Sequence, residues 1–298
     1  MGGGRIGVAA LVAAGLLGGC RIAGREGPAS RSLVTSRQLS QQGVAALERG
    51  QWDRADELLG QAVRACPSNV DARRHYAEAR WNCGRHQEAL AELEAAQRLA
   101  PDDAGLAARI AEMRLALGQT SAALDAAQRA IDLDPKLAAG WAVRARIWRA
   151  QRDWAQALAD YQRALSCAPE DPHIPCEIAA VYLELNKPHR ALASVQDIID
   201  RCAPGEEPQE ALLCQGLGYL ALGRYEEAAE SLSGAAARGQ PTAEILFRLA
   251  QAHWGAGRPA RALAAAEQAL ALDPHHQPAR TLLEQTRLAA QLDEGPRR

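Results

Sequence analysis

Lysine is nearly missing from this chain: of its 34 basic residues only Lys136 and Lys187 are lysine, and arginine supplies the rest. Acidic residues number 36, giving a net charge of -2, which excludes the broad basic field that nucleic-acid binding needs. Long apolar runs are missing too. Ile6 to Leu17 is a run of twelve residues, too short to cross a bilayer. Metal and catalytic spacings are sparse. Cys83 and His86 form a Cys-x-x-His, but no second ligand pair has zinc spacing. His275 and His276 stand together in a turn without a carboxylate partner and read as solvated. No metal, cofactor or enzymatic activity is expected.

What the chain does have is a period. Pro67, Pro101, Pro135 and Pro169 lie 34 residues apart, and Pro274 follows three periods and three residues later. A period of this length marks a stacked helical array. Frames of 34 residues starting at Ser36, Val70, Ala104, Ala138, Pro172, Gln209 and Ala243 align more than the prolines. Position 20 is alanine in every frame, from Ala55 to Ala262, and position 8 is always glycine or alanine. Two helices that cross there can bring their backbones close together. Position 27 is alanine except at Ile198. Position 15 is Gly50, Gly84, Gly118, Gly223 or Gly257, a residue suited to the left-handed cap of a helix; Asn186 can serve likewise, and Arg152 departs from the pattern. Gly216, Gly218 and Gly223 resemble a phosphate loop superficially. Two of them fall on positions 8 and 15, and no strand precedes them.

Trp141, Ala145, Trp148, Ala157, Tyr161, Ala164 and Pro169 of the fourth frame carry the closest match to a known motif. In these residues the chain resembles the tetratricopeptide repeat family over residues 36–274. The resemblance implies an all-α, right-handed superhelical solenoid of seven helical hairpins. In the second frame the helices are expected near 71–82 and 86–98. A capping helix near 277–290 should turn Leu282, Leu283 and Leu288 to one side, within a terminal unit of 275–298 whose last residues fray. The fifth frame fits least well, with Pro175 in its first turn and Pro204 one place late.

The N-terminal residues 1–19 read as a signal peptide, because Leu17, Gly18, Gly19 and Cys20 resemble the bacterial lipobox. The resemblance implies a lipid on Cys20 and a protein anchored at the bacterial cell envelope. Arg21, where an aspartate would retain it at the inner membrane, implies an outer-membrane lipoprotein facing the periplasm. Ile6 stands where a myristoylation motif needs Ser or Thr. Residues 20–35, with Gly24, Gly27, Pro28 and three arginines, read as a flexible linker.

Six cysteines remain after Cys20. Cys167 and Cys176 flank one inter-frame turn and Cys202 and Cys214 the next, so each pair is a candidate disulfide; the alternative is a set of small buried apolar residues. Family resemblance places ligand-facing side chains on the first helix of each frame. Here these are Arg74, His75, Glu78, Trp81 and Asn82, then Arg109 and Glu112, then Arg146 and Arg149, and finally Phe247, Arg248, Gln251 and Trp254. Tryptophan and arginine are the residue types enriched at binding hot spots. The lysine and asparagines of a carboxylate clamp are missing at the matching positions, where Arg74 and Glu78 stand. The expected function is a membrane-anchored scaffold that binds a protein or peptide in its groove. A receptor for a small ligand or glycan, stacking on Trp81 and Trp254, is the alternative.

Overall fold

The computed structural model describes residues 28–293, which form fifteen α-helices and no strand. Seven hairpins run in order: α1 (Pro28–Glu48) with α2 (Trp52–Ala65), α3 (Val70–Asn82) with α4 (His86–Leu99), α5 (Ala104–Ala116) with α6 (Thr120–Leu133), and α7 (Ala138–Ala150) with α8 (Trp154–Cys167). The array continues through α9 (His173–Glu184) with α10 (Pro188–Arg201), α11 (Gln209–Ala221) with α12 (Tyr225–Ala237), and α13 (Ala243–Gly255) with α14 (Pro259–Leu272). A last helix, α15 (Gln277–Asp293), packs on α13 and α14. Each hairpin packs on the next, giving the superhelical solenoid that the period predicts.

Every hairpin closes through the same turn. The residue at position 15 takes a positive φ, between 68° and 77° at Gly50, Gly84, Gly118, Gly223 and Gly257, 53° at Asn186 and 62° at Arg152. The next amide then reaches back to a carbonyl five residues earlier, as in Arg85 N to Arg80 O and Asp153 N to Trp148 O, both 2.9 Å. Arg152 makes this turn with a β-carbon that crowds the backbone. Replacing Arg152 by glycine should therefore raise stability by about 1 kcal/mol. A urea or thermal midpoint that stays put or falls would contradict this.

The opposite ends of the hairpins carry the prolines, and their free carbonyls are used. Arg73 Nε donates to Pro67 O and Trp141 Nε1 to Pro135 O, each at 2.8 Å, from the same frame position of α3 and α7. Asn69, Asp103 and Thr242 cap the helices that follow them by accepting from Ala72, Leu106 and Ile245 amides.

The core is a ribbon between hairpins. All seven position-20 alanines are fully buried. At position 8 the side chain is matched to the residue at position 24 of the same hairpin. A β-carbon on Gly43 would lie 2.5 Å from Leu59 Cγ, and one on Gly216 2.5 Å from Leu232 Cγ. Between hairpins five and six a similar fit occurs at Gly218, where a β-carbon would meet Leu192 Cδ2 at 2.8 Å. Packing thus explains Gly216 and Gly218 within a helix.

Three expectations change. Residues 28–35 of the expected linker are helical, because Pro28 occupies the first turn of α1, where a missing N–H costs nothing. On α15, Leu282 and Leu283 are buried as expected, but Leu288 is 60% exposed and Thr286 is buried in its place, its hydroxyl donating to Leu283 O. No further hairpin follows to cover Leu288 among the described residues. His276 is not solvated: it lies over the Phe247 ring at 5.1 Å and accepts from the Ala279 amide, capping α15. The signal peptide, Cys20 and the expected fraying end after Asp293 lie outside the described residues.

Candidate functional site

The first helices of the hairpins stand side by side along the concave face, so side chains of one meet those of the next. On α5, Arg109 donates to Glu112 at 2.7 Å, and Glu112 in turn accepts from Arg146 of α7 at 2.8 Å. Arg149, one turn on, spans to α9, donating to Glu177 at 2.8 Å and to Glu184. Tyr161 of α8, fully buried beneath, donates its hydroxyl to the same Glu177 oxygen at 3.2 Å. Burial, reinforced by the Glu177 charge, pushes the Tyr161 phenol far above its ordinary pKa, so it remains a donor. The result is a ladder of ion pairs tying three inner helices. Each arginine side chain stays partly exposed, 37% at Arg146 and 29% at Arg149.

Above this ladder lies an open cavity of about 570 Å³ between α5, α7, α9 and α11. Its lining includes the carboxylates Glu112, Asp171, Glu177 and Glu210, facing Arg146 and His173. His173 Nδ1 and Glu210 Oε2 are 2.7 Å apart. That hydrogen bond raises the His173 pKa against the opposing effect of burial. A second cleft of about 600 Å³ between α11, α13 and α15 is lined by Arg248, Gln251 and Trp254.

The sequence-derived residues divide accordingly. Glu112 and Arg146 line the first cavity, and Arg149 lies beside it. Arg248, Gln251 and Trp254 come together in the second cleft. Arg74 pairs with Asp71 in its own helix at 2.7 Å, and Asn82 donates to the Glu78 carbonyl. His75 is half-buried, its pKa lowered by that burial and by Arg74. Two residues differ from expectation. Phe247 is buried in the core formed with α14 and α15, with the His276 ring against it. Trp81 packs on the core and on His86, with ring centroids 4.3 Å apart, so it is committed to its own hairpin turn.

The cysteine pairs differ as well. The six described cysteines are free thiols. Cys167 ends α8, exposed, with its Sγ 3.7 Å from Pro135 O, whereas Cys176 lies a turn inside α9 and is buried. The partner that faces Cys176 is Cys214.

Sequence reasoning passed over Tyr161, His173, Glu177, Glu184 and Glu210 as site residues, and named Cys176 and Cys214 only as halves of two other disulfides. A signal existed for all but Tyr161, because they fall on groove positions of the fifth frame, where the motif is weakest, and of the sixth.

A tetratricopeptide repeat profile matches residues 40–104, 109–172 and 213–276. Among solved structures, a tetratricopeptide repeat protein of Parabacteroides merdae is 16% identical over 85% of this chain and 99% of its own, with a TM-score of 0.63. Yeast Tom70 is 15% identical over 90% of this chain and 57% of its own, with a TM-score of 0.68. Pseudomonas aeruginosa pilF is 15% identical over 86% of this chain and 99% of its own, with a TM-score of 0.53. At such identities the likeness is one of fold. No curated protein matches the chain by sequence.

Proposed function

We propose, from the premise that this chain belongs to the tetratricopeptide repeat family, that it is a noncatalytic scaffold whose concave face holds a segment of another protein. The observation that carries this reading is the cavity shared by four inner helices and floored by the Arg109–Glu112–Arg146 and Arg149–Glu177 pairs. Charged groups already fixed by their neighbours lose little freedom when a partner arrives, which favours binding. Four carboxylates line the cavity beside Arg146 and His173, so a segment that carries basic side chains together with an acidic or carbonyl group for the arginines suits it. A glycan receptor loses one of its two expected stacking platforms, because Trp81 is engaged with His86. The test is capture: recovery of a partner must depend on Arg146 and Arg149 of the inner helices and not on Arg129 of the outer ones.

The scaffold is tethered, in this reading, by a lipid on Cys20 at the bacterial cell envelope, on the outer membrane and facing the periplasm. Support comes from the Leu17–Cys20 box and from Arg21 after it. No helix among the described residues is long and apolar enough to cross a membrane, so an attached lipid would supply the anchor. Replacing Cys20 by serine is expected to move the protein out of the membrane fraction or leave its signal uncleaved. Unaltered fractionation together with unaltered processing would exclude the anchor.

A further inference from the structure

Hairpin five is the stretch that the family profile passes over, between residues 172 and 213. It is also where two thiols meet. Cys176 stands on α9 and Cys214 on α11, inner helices that pack directly against each other. Both residues line the 570 Å³ cavity, so both are reachable from the groove. Cys214 Sγ lies 3.6 Å from the Cys176 carbonyl oxygen, while Cys176 Sγ lies 3.2 Å from Pro172 O. We propose that Cys176 and Cys214 close into a disulfide across the floor of the groove, a covalent tie between hairpins five and six.

The chemistry favours this pair. The two thiols lie close enough to act on each other: Cys214, with burial adding to the effect, pushes the Cys176 pKa up, and Cys176 shifts Cys214 downward. Cys214 is then the attacking thiolate. With a small disulfide as oxidant, Cys214 Sγ attacks one of its sulfurs and expels one thiolate. Cys176 gives its proton to solvent and attacks Cys214 Sγ, expelling the second thiol. Two protein thiols are oxidised and one small disulfide is reduced to two thiols.

The tie has a mechanical consequence. The connection from α10 to α11 runs from Cys202 to Pro208, the longest between successive described helices, and holds the three-residue insertion. A bond from α9 to α11 bypasses that connection and fixes the width of the cavity at its floor. It forms whether or not a partner is present.

The experiment takes the full chain, reduced and then incubated with oxidised glutathione, alkylated and digested without reductant. The expected product is one bridged peptide pair, joining Cys176 to Cys214 and lighter by two hydrogens than its reduced parts. It should vanish in Cys176→Ser and Cys214→Ser. Oxidation should also raise the unfolding temperature, a shift lost in Cys176→Ala, which keeps the buried site apolar if serine disturbs α9. Bridges joining Cys167 to Cys176 or Cys202 to Cys214 would overturn the proposal. So would separate glutathione adducts, or free thiols, at Cys176 and Cys214 after full oxidation.

Discussion

Replacing Arg146 and Arg149 together by alanine is expected to weaken capture of the partner by about 2 kcal/mol or more, roughly thirtyfold in affinity. Both side chains are partly exposed beside the cavity and are held by Glu112, Glu177 and Glu184, so a bound segment meets them in fixed positions. Their removal also leaves Glu177 and Glu184 without a cation while Glu112 keeps Arg109, which changes the sign pattern of the groove. Since neither arginine belongs to the buried core, helical content should persist, with a modest loss of stability from the unpaired Glu177. The matched outer changes are Arg129→Ala and Arg163→Ala, on the exposed faces of α6 and α8. Affinity crosslinking from cells that make the protein reads both sets. If the outer pair abolishes recovery while the inner pair leaves it intact, the convex face is the working surface.

Tyr161→Ala should be the most destabilising single change in this region, by about 3 to 5 kcal/mol. The ring is fully buried among Ala145, Ala157, Ile174, Ile178 and Val181, where hairpin four meets hairpin five. Tyr161→Phe keeps the ring and loses only the hydroxyl bond to Glu177, so about 1 kcal/mol is expected. In a solenoid stability is a sum over hairpins and their interfaces, so the damage should be local. Hydrogen exchange is expected to quicken in α7 to α9 while α3 to α5 stay protected. Equal losses for alanine and phenylalanine would show that the hydroxyl, not the packed ring, carries the effect.

The helices were legible because their boundaries are set by backbone chemistry. Prolines stop the second helices, position-15 residues turn left-handed, and small residues permit close crossing, so 71–82 and 86–98 became Val70–Asn82 and His86–Leu99. The site was legible only where the motif was strong. Arg146 and Glu112 were found by frame position, but their pairing depends on how far long side chains reach between hairpins, which a period does not encode. Phe247 occupied a groove position and was still buried, because its ring packs with α14, α15 and the His276 ring, contacts a period does not encode. Cys176 was matched to Cys167 along the chain, whereas inner helices bring the same face of successive hairpins together and put Cys214 there. Pro28 was read as part of a linker, yet proline in a first helical turn is as compatible with starting a helix.

Gly218 gives the array a reading order. It alone among the seven residues at its frame position lacks a side chain; the others are Ala45, Ala79, Met113, Ile147, Val181 and Ala252. Leu192 of the preceding hairpin fills the space where its β-carbon would stand. Any other hairpin grafted after hairpin five would drive a β-carbon toward that leucine. The units therefore look interchangeable in sequence but are not modular parts, and a shuffled or shortened array must keep the junction between hairpins five and six whole.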